Sequence, residues 1–170
     1  MLKEIYLKLA EFVSIIINDV NVGVIHNYGN NERPRKPFIL ISIENFDLRG
    51  FPNKYEIDDV GLQRLVFFRK FTVKFEAFAD DRFTACDLLM TIDNGFYTHF
   101  ASDYFQDEIV HMRTVNGIDF IGFSFDGMNE SRAIMMCEFN SNMEIKDNVG
   151  LIEHVNITDL DTGNEFIINK

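Results

Sequence analysis

The stretch "FTVKFEAFADDRFTACDLL", residues 71–89, changes its hydrophobic period halfway along. In the first half, Phe71, Val73, Phe75 and Ala77 alternate with Thr72, Lys74 and Glu76, the two-residue repeat of a strand with one buried face. After Asp80-Asp81 the repeat lengthens. Phe83, Cys86, Leu89, Ile92 and Phe96 recur at helical spacing, and either aspartate can accept from the free N–H groups of a first helical turn. The stretch therefore predicts a strand that feeds a helix over about 82–100, and the other segments are placed around this pair.

Upstream, Leu2, Ile5, Leu9, Phe12, Val13 and Ile16 predict a first helix over about 2–18. Lys3, Glu4, Lys8 and Glu11 interrupt its apolar residues, so it is amphipathic and unlike a signal peptide or membrane span. The expected location is the cytoplasm of the producing cell. "VGVIH" (22–26) predicts a short extended segment and "FILISI" (38–43) a buried strand. Pro37 suits the mouth of that strand, where a missing N–H is tolerated. Residues 45–61 contain Gly50-Phe51-Pro52, the acidic group Glu56, Asp58 and Asp59, and few apolar anchors. They predict a long loop or a hairpin arm turning near Asp59-Val60-Gly61. Downstream, strands are expected over 108–115, 118–125, 131–145, 151–160 and 165–169, the last two joined by a turn at Asp161-Thr162-Gly163-Asn164. The expected fold class is α+β: one domain over residues 1–170, with a mixed, mostly antiparallel sheet packed by two main helices.

Composition excludes several functions. The 170 residues are 46% hydrophobic, enough for one proper core, and 18 Phe without Trp suit a β-rich interior. Acidic residues outnumber basic ones 27 to 16, a net charge of -11. Nucleic-acid affinity rests on Lys and Arg neutralising phosphates, so a sequence-specific DNA-binding module is excluded. An acidic channel that lets DNA slide past is not. Cys86 and Cys137 are too few for a disulfide framework or a zinc ligand set, and are expected as reduced core residues. His26, His99, His111 and His154 show no metal-ligand spacing. "GFSFDG" (122–127) lacks the spacing of a nucleophile elbow, because Gly127 lies too far beyond Ser124. "DLDTGNE" (159–165) lacks the closing glutamate of a calcium loop, and Asp80-Asp81 stands where a helix needs a cap. No catalytic, cofactor or metal residue is assigned, no cofactor is expected, and the protein is not expected to be an enzyme.

The basic run Arg33-Pro34-Arg35-Lys36-Pro37 stands out in so acidic a chain. It reads either as a solvated loop tip held extended by its prolines, or as a loop that pairs with carboxylates of a neighbouring copy.

Taken in order, the segments resemble the phage neck or tail terminator proteins, also called tail-completion or head–tail joining proteins. The resemblance rests on the amphipathic helix and short strand, and on the R-P-x-x-P loop with its hydrophobic strand (Arg33 to Leu40). It continues through the acidic arm, "FTVKFEAFA" and the following helix, "ESRAIMMCEFN" (130–140), and "VGLIEHVNI" (149–157). It covers nearly the whole chain. It implies a structural protein that forms a ring, commonly a hexamer, at the head-proximal end of the tail. Such a ring stops tail-tube growth and presents a surface to the head connector. The implied partners are further copies of the chain, a tail-tube protein and a connector or neck protein, with no membrane. The implied location is the virion neck, and DNA would pass through an acidic bore. By the same resemblance Arg33 and Arg35 sit in a contact loop whose course Pro34 and Pro37 fix. Glu130 and Arg132 share a strand face and pair across strands or subunits, and Glu56, Asp58 and Asp59 reach toward a neighbour or the bore. Two other readings remain open: a monomeric neck adaptor that forms no ring, and a small enzyme with an unrecognised site.

Overall fold

The computed structural model describes residues 2–26, 34–47, 51–58, 60–106, 108–125, 128–149, 154–158 and 165–169; for 122–125, 128–130, 143, 154–158 and 165–169 it describes the backbone alone. The fold class is α+β. In chain order come α1 (Leu2–Ile17), β1 (Gly23–His26), β2 (Phe38–Phe46), β3 (Asn53–Ile57), β4 (Leu62–Ala79), α2 (Arg82–Phe96), α3 (His99–Phe105), β5 (Ile109–Thr114), β6 (Asp119–Phe125), β7 (Met128–Asn148), β8 (His154–Thr158) and β9 (Glu165–Asn169). The main sheet has the order β1-β2-β4-β7-β5, with β3 paired to β4 and β6 to β7, while β8 and β9 pair separately. β1 lies parallel to β2, and the other pairs with a resolved register are antiparallel. The chain divides into two compact units: Met1–Gly50 with Phe68–Met143, and Phe51–Phe67 with Glu144–Lys170.

In the first unit the core follows from the two periods. α1 buries Ile5, Leu9, Phe12 and Val13, spaced to share one helical face. The helix stops at Asn18, whose positive φ of 48° is a conformation asparagine tolerates at a helix end. β4 turns Phe71, Val73, Phe75 and Ala77 toward the helices, and all four are almost wholly buried. Phe12 sits at the centre of this layer. Its ring stacks on Phe96 at 5.2 Å and meets Phe105 at 4.8 Å. Full burial of a side chain of this size is worth roughly 1.5–3 kcal/mol.

The second helix is shorter than its periodicity suggests. Asp81, not Asp80, caps α2, accepting from the Thr84 N–H at 2.9 Å and the Thr84 hydroxyl at 2.5 Å. Asp80 instead faces Lys36 Nζ at 3.4 Å. The expected helix over 82–100 ends at Phe96, and α3 follows as a separate helix. Thr98 makes the break: its hydroxyl donates to the Gly95 carbonyl at 2.7 Å and accepts from the Ala101 N–H, so one side chain serves the end of α2 and the start of α3.

The other face of β4 is not the solvated polar face that its alternation suggests. Glu76 and Ser42 are buried there, and Phe38 stacks on Phe78 at 4.6 Å. Charges of alternating sign cross this face. Lys74 reaches Glu44 at 2.8 Å and Glu76 at 3.8 Å, and Arg132 on β7 pairs with Glu76. Further along, Lys70 on β4 and Arg113 on β5 hold Glu138 on β7 at 2.8 and 2.7 Å. Arg113, and then Lys70, keep the Glu138 carboxyl below its ordinary pKa by hydrogen bonding to the ionised form.

Candidate functional site

Two features have the chemistry of sites. The first is the hairpin of β3 and the start of β4. Asp58 builds its turn: the Asp58 carboxylate accepts from the backbone N–H groups of Val60 and Leu62 at 3.0 and 2.8 Å. Gly61 takes a φ of 81°, a region open to glycine at little steric cost. Every residue of β3 is exposed. Tyr55 and Ile57, either side of an irregularity in the β3/β4 register, present apolar side chains to solvent together with Phe51 and Val60, Phe51 at 98% and Val60 at 71% exposure. Arg64 lies over the Tyr55 ring at 4.9 Å and holds Glu144 at 2.7 Å. These apolar residues escaped the sequence reading, which weighed the carboxylates of the segment. The signal was the pair of apolar residues Tyr55 and Ile57 inside a polar stretch.

The expected contact residues are not gathered in one place. Arg35 and Glu56 are exposed, and Asp58 is occupied by its own turn. Pro34 lies beside Gly23, where an added Cβ would meet Pro34 Cβ at 3.8 Å. Pro37, which follows a cis peptide bond, accepts from the Gly23 N–H at 3.2 Å. The described part of the R-P-x-x-P segment thus closes onto the start of β1. Arg132 pairs within the chain with Glu76, and its guanidinium lies 5.4 Å from the Phe78 ring centre. Glu130 pairs through its backbone with Phe123 of β6, and its side chain lies outside the description. Arg33, Asp59 and the turn at 161–164 lie outside the described residues. An open apolar groove of ≈ 620 Å3 runs between α1 and the end of β2, lined by Leu2, Tyr6, Leu7, His26, Ile43 and Phe46 among others.

The second feature is internal. Asp93 on α2, His111 on β5 and Cys137 on β7 bring one carboxylate oxygen, one ring nitrogen and one sulfur within 4.8 Å of each other. The Thr114 hydroxyl donates to Asp93, which leaves its oxygen to accept from the Cys137 thiol at 3.7 Å. Aromatic rings fix the imidazole: Phe96 stacks on it at 4.9 Å, with Tyr97 and Phe139 edge-on at 5.2 and 5.3 Å. Burial depresses the His111 pKa, and the Asp93 charge works against that shift. Burial pushes the Cys137 thiol up to about 12, so at neutral pH it is a protonated, wholly buried thiol rather than a nucleophile. Both cysteines are free, Cys86 being half-buried. Sequence spacing gives no sign of this cluster, because its members come from three separate elements.

A mixed sheet with helices packed on one face, and a hairpin that presents apolar side chains to water, has the build of an assembly subunit. Residues 3–164 match the family described as phage neck terminator protein, and the chain belongs to that family. It is a structural component of the virion neck, whose work is contact with other head or tail proteins. No curated protein sequence matches the chain. Among the described residues no helix is long and apolar enough to cross a membrane.

Proposed function

We propose that this protein forms a closed ring of identical copies, a hexamer, which caps the tail tube and joins it to the head connector. The observation that carries this reading is the hairpin: a strand exposed at every position, bearing Tyr55 and Ile57 with Phe51 and Val60 beside it. β3 pairs with β4, and because all its side chains are exposed it gains little from burial within the chain. Apolar residues held on such a hairpin gain burial only when a second surface covers them. A contact between two different patches of the same protein closes into a ring when its rotation divides the circle. The net charge of -11 supports a bore that repels DNA and lets it slide.

In this reading Arg33 and Arg35 are the specificity device of the contact, pairing with carboxylates of a neighbouring copy, of which Glu56 and Asp59 are the nearest in kind. The whole of 1–170 acts as one structural domain with 45–61 as its arm, and it performs no catalysis. Native mass spectrometry and negative-stain imaging of the purified chain, alone and with tail tubes, test the proposal. Rings are expected, and Arg33→Glu with Arg35→Glu should abolish them while far-UV circular dichroism stays unchanged. A persistent monomer bound to connector components without any ring would establish the adaptor reading instead.

A further inference from the structure

We propose that Asp93, His111 and Cys137 form a binding site for one divalent transition-metal ion of borderline softness, with zinc the natural occupant. The donor set is the argument. Oxygen, nitrogen and sulfur donors within 4.8 Å of one another need only small side-chain adjustments to converge on a single ion at the 2.0–2.3 Å bond lengths typical of zinc. A mixed set of this kind suits zinc and cobalt and is unsuited to the hard, oxygen-seeking calcium and magnesium.

Charge gives a second reason. The Asp93 carboxylate and a Cys137 thiolate together carry two negative charges, and a neutral imidazole adds none. A divalent ion bound there is neutralised, as a site with a wholly buried cysteine requires. On binding, the thiol proton leaves to solvent as the metal–sulfur bond forms, and His111 contributes a ring lone pair.

A third reason is independent of the spacing. His111 Nε2 is a buried polar atom without a hydrogen-bond partner among the described residues, a situation that calls for a missing ligand or water. The surrounding groups also suit a metal site. Three aromatic rings hold the imidazole in place, and Thr114 orients the carboxylate through its hydroxyl, as outer-shell partners of metal ligands do. A water would complete four-coordination. Asp93 and His111 are only half-buried, which leaves the ion a way in.

The test is titration of chelator-treated, reduced full-length protein with Co2+, followed by Zn2+. Expected are a thiolate-to-cobalt charge-transfer band and the visible spectrum of four-coordinate cobalt, saturating at one ion per chain. Zinc should bleach both and raise the melting temperature, and a chelator should reverse that rise. Cys137→Ser should remove the charge-transfer band, and His111→Gln and Asp93→Asn should each weaken cobalt binding by at least about tenfold, the lower end of what losing even an outer-shell partner costs. Cys86→Ser, which removes the other thiol, should leave the spectrum intact. Absence of the band in the native protein overturns the proposal whatever the variants do. A band that survives Cys137→Ser or vanishes with Cys86→Ser overturns it equally.

Discussion

Gly95, in the last turn of α2, lies against the Ile16 side chain of α1, and replacing it with alanine sets two effects against each other. Alanine in place of glycine within a helix is worth up to about 1 kcal/mol through backbone entropy. A Cβ at position 95, however, would lie 2.8 Å from Ile16 Cγ2 and 3.0 Å from Ile16 Cγ1. Those atoms sit on the branched carbon of a side chain stiff at χ1, so they cannot swing aside as a flexible tip would. Relief requires a changed rotamer or a shift of α1 from α2, and overpacking of this kind costs about 1–3 kcal/mol. The clash therefore wins. Gly95→Ala should lower stability by about 1–2 kcal/mol, a fall in melting temperature of roughly 2–8 °C for a chain of this size. With Ile16→Ala already present the obstruction is gone and only the helix preference remains, so the same substitution should stabilise by up to about 1 kcal/mol. Urea unfolding followed by circular dichroism on the four proteins of this cycle measures the reversal. If Gly95→Ala changes stability with the same sign in both backgrounds, the close approach of Gly95 and Ile16 does not govern this contact.

Arg132→Met should cost about 3 kcal/mol in urea unfolding, because it leaves the buried Glu76 carboxylate without its guanidinium. Joining Glu76→Gln to it should recover most of the loss, and a double variant no better than the single one would contradict the pairing. At the start of α2, the Thr84 hydroxyl and then the Thr84 N–H hold the Asp81 carboxyl below its ordinary value of 3.8. The folded pKa is thus the lower one, so the cap's ionic contribution is complete above the unfolded value and fades as pH falls through the folded one. Asp81→Asn keeps an N-cap acceptor without a titrating proton and should flatten the acid limb of melting temperature against pH. Identical acid limbs for the two proteins would refute this account of the cap.

Residues 71–89 disclosed the central strand and helix because each is encoded by a repeat only a few residues long. The same holds for α1, whose buried residues at 5, 9, 12 and 13 were all legible as one face. Periodicity failed where a single side chain decided the outcome. Thr98 divides the long helical pattern into α2 and α3, and apolar spacing through Phe96 and Phe100 gives no hint of it. It failed again on β4, where Lys74 and Glu76 alternate outward as if solvated. Whether the second face of a strand meets water depends on what covers it, and a strand cannot report that. On the hairpin, the carboxylates drew the functional reading although Asp58 serves its own turn and the side chains of Phe51, Tyr55, Ile57 and Val60 are the exposed apolar ones.

The sequence by itself determined the α+β class, the acidic character of the chain, and a resemblance that the match over residues 3–164 turns into membership of the neck terminator family. Each of these follows from composition, short-range periodicity or the order of segments along the chain. Only the tertiary structure decided which distant side chains meet. The sheet order sets β4 beside β7 and so joins Glu76 to Arg132. The packing of α2 against β5 and β7 gathers Asp93, His111 and Cys137 into one cluster. Such pairings lie far apart along the chain and are fixed by strand register and helix packing, so no local pattern of residues can announce them.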